Sequence, residues 1–136
     1  MQESATTVKK SFVLYQLPVL VWMLVIFVSS AIPSYAFPQV EFWGWAKLIH
    51  LFYYGTLCFL ARRAFLHQDR FIVLRRHASL FAVLAAVLYG ATDEIHQLFT
   101  PGRHGMPLDV AIDALGACLF LAGAQVLGLL GRRTGA

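Results

Sequence analysis

Residues 93–113 read DEIHQLFTPGRHGMPLDVAID, which sets four carboxylates, two histidines and an arginine into a mostly apolar chain. The apolar run 80–90 leads into Asp93 and Glu94, and Asp109 and Asp113 open the next one. An ionised side chain in the middle of a membrane helix costs roughly 2.5–3.5 kcal/mol on the mildest insertion scale. Four unpaired ones would cost on the order of 10 kcal/mol, comparable to the stability of a typical domain. These groups must therefore be paired, protonated or near water, and ionisable groups at such depth point to a functional site.

The surrounding composition supports a membrane setting. The chain has 136 residues, 59% hydrophobic and 13% charged, against about 25% charged in soluble domains. Its mean hydropathy is +0.66. We read one domain, residues 1–136, in the all-α class. A pI near 9.4 would suit nucleic acid, but the basic residues flank apolar runs and form no stripe of their own, so no nucleic-acid partner is expected. Cys58 and Cys118 sit inside apolar stretches without a CxxC pattern. They read as small buried apolar residues, not as a disulfide or a metal site.

Four apolar runs predict transmembrane helices at about 14–32, 42–61, 78–99 and 108–130, each near the roughly 20 residues a bilayer requires. Cytoplasmic loops carry the excess of Lys and Arg. Lys9 and Lys10 precede the first run, Arg62, Arg63, Arg70, Arg75 and Arg76 separate the second from the third, and Arg132 and Arg133 follow the fourth. Four crossings put all of these on one side and only Lys47 and Arg103 on the other. The expected architecture is a four-helix transmembrane bundle with both termini cytoplasmic and a polar site facing outward. A cleavable signal peptide ending near Ser34-Tyr35-Ala36 is the rival reading of the first run, but Pro18 and Trp22 suit a retained helix. Tyr35, Phe37, Phe42, Trp43 and Trp45 read as an interfacial aromatic belt, with a lipid-headgroup platform as the sharper alternative.

That topology brings the unusual polar residues to one level. Lys47, His50 and Tyr54 are spaced by three and four, so they share a helix face. Asp93 shares a face with Gln97, and Asp109 with Asp113 and Gly116. Gly90 and Gly116 would let the third and fourth helices approach closely. Asp109 lies near a helix N-terminus started by Pro107, where the dipole favours negative charge. Asp93 and Glu94 lie near a helix C-terminus, where it opposes them. Arg103, folded back by the Pro101-Gly102 turn, is their expected partner, and Lys47 the second. With neutral histidines the four acids exceed Lys47 and Arg103 by about two negative charges. Shared protons, charged histidines or a bound cation would resolve this, and stacked carboxylates can yield a general acid or base.

The blander reading of the cluster is a structural salt-bridge network. His50 gains functional weight from Lys47 on its face and the acids opposite. His96 points off the Asp93–Gln97 line. His104 reads as a loop histidine, His67 and His77 as cytoplasmic surface residues, and Glu41 as a solvated interfacial acid. Asp93, His50 and Asp113 would suit zinc or manganese, yet no HExxH or comparably compact spacing occurs, so no cofactor is expected and a divalent cation is the minor alternative. There is no P-loop, GxSxG elbow or dinucleotide fingerprint.

The stretch DEIHQLFTPGRHGMPLDVAIDALG resembles the VanZ-like family of membrane proteins. The resemblance makes Asp93, Glu94, Gln97, Arg103, Asp109 and Gly116 motif residues, matches Lys47 and His50 early in the second helix, and Ser29 and Ser30 late in the first. Asp113 stands where many relatives carry Asn, and His96 falls at a variable position. The family takes its name from a member linked to low-level resistance to the glycopeptide teicoplanin. The resemblance implies a multi-pass protein of a bacterial cell membrane, in contact with membrane lipids. The leading functional expectation is binding or modification of an amphiphilic envelope molecule, such as a lipid-linked glycan or a lipoglycopeptide. Lys47 and Arg103 would hold its anionic group with Gln97, Asp113 and Tyr54 as further ligand contacts, and Asp93, Glu94 or Asp109 would act as acid or base assisted by His50. A structural or partner-binding membrane module is the alternative. A proton or cation path ranks below both, because the inner halves of the runs carry only scattered polar residues such as Thr56, Ser79 and Gln125.

Overall fold

A computed structural model of the chain describes residues 11–36 and 44–127. They are helical, with no strand among them. A π-helical turn, Phe12–Gln16, runs into α1 (Leu17–Ser30). Then come α2 (Gly44–Leu66), the short α3 (Ile72–Arg76), α4 (Ala78–Gln97) and α5 (Pro107–Val126). Among the described residues, three helical stretches are long and apolar enough to cross a membrane: Phe12–Ser30, Ala78–Gln97 and Pro107–Val126. Helix α2, 23 residues long, has the length but carries Lys47, His50, Arg62 and Arg63. It also runs to Leu66, past the expected end at Ala61. There Arg62 donates to Ser79 Oγ at 2.8 Å, and Arg63 lies over the Tyr15 ring.

The helices are sorted by side-chain size. On α4, Ala78, Ala82, Ala86 and Gly90 recur every fourth residue and are buried, while Leu80, Leu84 and Leu88 form an exposed stripe on the other side. On α5, Asp109, Asp113, Gly116, Ala117, Leu121 and Ala124 face inward, and Leu108, Leu115 and Leu119 face outward. Small residues at helix interfaces let backbones approach, which is how helices associate where lipid removes the hydrophobic advantage of burying leucine. The close approach at Gly116 is between α2 and α5, not between the third and fourth apolar runs as expected. A Cβ on Gly116 would strike the Leu51 backbone, and one on Gly55 would strike the Phe120 ring.

Helices α2, α4 and α5 pack mutually around Tyr54, Leu57, Cys58, Ala61, Ala82, Ala86, Ala117 and Leu121. Helix α1 lies against the side of this trio. Only its Ile26 and Ser30 are buried. It is held by Trp22 Nε1 donating to Tyr53 O at 2.9 Å and Tyr89 OH donating to Met23 O at 2.7 Å. Cys58 is buried as expected, but Cys118 is exposed, because it falls between the inward positions Ala117 and Leu121 on the outer side of α5. His67 is not a plain surface residue either: its ring stacks on Tyr15 with centroids 3.8 Å apart. The expected belt residues Tyr35 and Trp45 are exposed. Phe37, Glu41, Phe42 and Trp43, together with Lys9, Lys10, Arg132 and Arg133, lie outside the described residues.

Candidate functional site

The first two turns of α2, the last turn of α4 and the first two turns of α5 come together at one end of the helices. The α2–α4 connection, with Arg70, Arg75 and Arg76, is at the other. Spacing accounts for the contributions of α2 and α5. Lys47 and His50 point from one face of α2 at Asp109 and Asp113, which stack on the facing side of α5. Lys47 Nζ pairs with Asp109 Oδ1. His50 Nδ1 lies 3.0 Å from Asp113 Oδ1. Asp113 is fully buried, and a Cβ on Gly90 would come within 2.5 Å of its Oδ2, so the missing side chain at Gly90 makes room for that carboxylate.

Glu94 reaches into the same space from α4. Its Oε1 lies 3.8 Å from His50 Nδ1. Its Oε2 accepts the backbone N–H of Met106 at 2.7 Å. Met106 caps the start of α5. The carboxylate that the C-terminus of α4 disfavours thus sits against the positive end of a neighbouring helix, where it satisfies an orphan donor. This compensation is not legible in the sequence, since nothing between the two residues states how the loop returns. Asp93, one position earlier, is buried too and accepts Gln97 Nε2 at 3.1 Å. Tyr54 is buried in the same core below the acids.

Arg103 makes contacts that its expected role did not include. Its Nε donates to Ile32 O at 3.2 Å and its Nη2 to Ser29 O at 3.1 Å, so the fork grips the C-terminal carbonyls of α1. The expectation that the fork closes on Asp93 or Glu94 is corrected for those two nitrogens. The physical reason is that the end of α1 offers unsatisfied carbonyls and a negative dipole at the same level. Ser34 N donates to Pro101 O at 3.3 Å, which ties the two outer connections together, and Gly102 adopts φ +74° in that turn, next to Ser34. His96 faces α1, its ring stacked on Phe27 at 4.5 Å. His104 is exposed in the turn.

For a metal, the grouping differs from the expected Asp93, His50 and Asp113. The ligand atoms of His50, Glu94 and Asp109 all lie within 4.8 Å of one another. Adjacent residues on a helix project about 100° apart, which is why Glu94 and not Asp93 faces His50.

The profile of the VanZ/LLP1 family matches residues 2–128. The chain belongs to the VanZ/LLP1 family. No curated protein and no solved structure shows significant similarity to it. The VanZ/LLP1 match takes in every residue of the cluster, from Lys47 to Asp113.

Proposed function

We propose that this VanZ/LLP1 protein crosses the bacterial cell membrane four times, with both termini in the cytoplasm. In this reading it takes the polar headgroup of an amphiphilic envelope molecule into its outward-facing cluster. One observation carries the reading: Lys47, His50, Asp93, Glu94, Asp109 and Asp113 meet at the end of the helices away from the arginine-rich connection. The positive-inside rule sends that connection to the cytoplasm and the cluster to the outer headgroup level. Exposed Tyr35 and Trp45 at the same end suit the interface. Lys47 and His50 are the partly exposed members, with side chains 15% and 13% accessible. They form the edge a headgroup would meet first. Behind them the buried carboxylates of Glu94 and Asp109 are available as acid or base, with His50 as their relay. Arg103 is a positioning residue that holds α1 beside this edge.

The test is binding by the protein in lipid nanodiscs. Teicoplanin, a lipid-linked glycan and a glycopeptide without an acyl chain are titrated in parallel. The reading expects saturable binding of at least one acylated ligand, weakened by Lys47→Gln, and little binding of the acyl-free one. Equal, unsaturable partitioning of all ligands would overturn it. The second reading, a purely structural lock, draws on the ion pairs Lys47–Asp109 and His50–Asp113, which clamp α2 to α5. That reading expects Asp93→Asn to lose stability and function in parallel, whereas a stable but inactive variant favours a site.

A further inference from the structure

We infer that His50, Glu94 and Asp109 form a binding site for one divalent transition cation of the zinc or manganese kind. The inference rests on reading the cluster as a ligand site and names an inorganic ligand for it. Three observations support it independently.

The first is distance. A first-row divalent ion holds imidazole nitrogen and carboxylate oxygen at about 2.0–2.2 Å, so the atoms around it stand roughly 3.0–4.2 Å apart. His50 Nδ1 lies 3.0 Å from Asp113 Oδ1 and 3.8 Å from Glu94 Oε1. The His50, Glu94 and Asp109 atoms fall within 4.8 Å of one another, a little wider than that shell, so the three side chains would close in on the ion.

The second is an unsatisfied group. Glu94 is 6% exposed, and its Oε1 has no hydrogen-bond partner among the described residues. Its other oxygen is occupied by Met106 N–H, which fixes the carboxylate so that Oε1 aims at His50. A buried carboxylate oxygen without a partner is costly, and a cation is the ligand that removes the cost.

The third is charge. Asp93, Glu94, Asp109 and Asp113 outnumber Lys47 and Arg103 by two at this end of the molecule. A ligating imidazole is neutral, with its lone pair at Nδ1 and its hydrogen on Nε2. One divalent ion therefore cancels the excess. Lys47 is held by Asp109 Oδ1, and a carboxylate has a second oxygen with which to ligate an ion. The ligands come from α2, α4 and α5, so the ion would bridge all three core helices. The mixed nitrogen and oxygen donors favour zinc or manganese over calcium or magnesium, which take oxygen alone.

The experiment uses the full chain in detergent, stripped with EDTA and titrated calorimetrically with ZnCl2 and with MnCl2. One equivalent is expected to bind. Glu94→Gln keeps an acceptor for Met106 N–H but removes the ligating charge, and Asp109→Asn does the same on α5. Each should weaken binding about 10–100-fold or more, since even outer-shell changes cost that much. Asp69→Asn, in the α2–α3 connection, should leave it unchanged. Circular dichroism and gel filtration report folding. X-ray absorption of the zinc-loaded wild type needs no variant: it should show an oxygen-rich shell with a single imidazole. Absence of binding to the wild type overturns the inference. So does wild-type affinity in both variants, or a shell with sulfur or several imidazoles. The titrations contain no glycopeptide or glycan, so their failure removes the cation and leaves headgroup binding to be judged by the nanodisc assay.

Discussion

Asp113 is the only acid of the cluster with no solvent exposure at all, and it depends on Gly90 for its space. A methyl at position 90 would come within 2.5 Å of Asp113 Oδ2, and both backbones are locked in helices. Gly90→Ala is expected to destabilise the protein by about 1–3 kcal/mol, the usual cost of overpacking. Gly123→Ala should be neutral or slightly stabilising, because nothing lies within 4 Å of the added carbon and alanine is the better helix former. Thermal unfolding in detergent compares the two, and an equal response would mean that Asp113 has room to move. At this scale the sequence was legible wherever two polar residues share a regular face. Lys47 and His50 on α2, with Asp109 and Asp113 on α5, follow from spacings of three and four. It was not legible where a contact depends on how a loop closes. Met106 N–H, which Glu94 accepts, and the α1 carbonyls, which Arg103 reaches, are backbone atoms brought up by turns. Side-chain charge rules name other side chains as partners and pass over such atoms.

Among the elements, α1 is the least embedded. It touches the other helices through Trp22, Met23, Ile26, Phe27 and Ser30, and its outer face of Leu20, Val21, Leu24 and Val28 is exposed. Arg103 therefore matters to α1 more than its single position suggests. The planar fork places two donors on two carbonyls one turn apart, which an ammonium cannot reproduce. Hydrogen bonds from charged donors contribute about 1.5–3 kcal/mol each. Arg103→Lys is expected to raise hydrogen exchange in the last turn of α1, around Ser29–Ile32, while the interiors of α4 and α5 keep their protection. Uniform loss of protection would instead place Arg103 in the core ion network. Helix identity was readable from apolar run length. The C-terminal extent of α2 was not, because Arg62 and Arg63 resemble the end of a span until Ser79 and Tyr15 are seen to receive them.

The molecule as a whole is organised inside out: carboxylates, alanines and glycines inside, leucines and phenylalanines outside. In water this arrangement would expose far more apolar surface than a monomer tolerates, whereas in lipid it satisfies both the outer face and the buried charges. It does not by itself say which end of the helices faces outward. That depends on Arg62, Arg63, Arg70, Arg75 and Arg76, which gather at the end opposite the acids. With Cys58 and Cys118 replaced by alanine, His104→Cys should react with a membrane-impermeant maleimide on intact cells. Asp69→Cys, exposed beside Arg75, should react only after permeabilisation. Both positions are exposed in the structure, so a difference in labelling reports the side of the membrane and not burial. The opposite pattern would turn Lys47, His50 and their carboxylates toward the cytoplasm, and an envelope headgroup could then no longer be their ligand, although the helices and their ion pairs would stand unchanged.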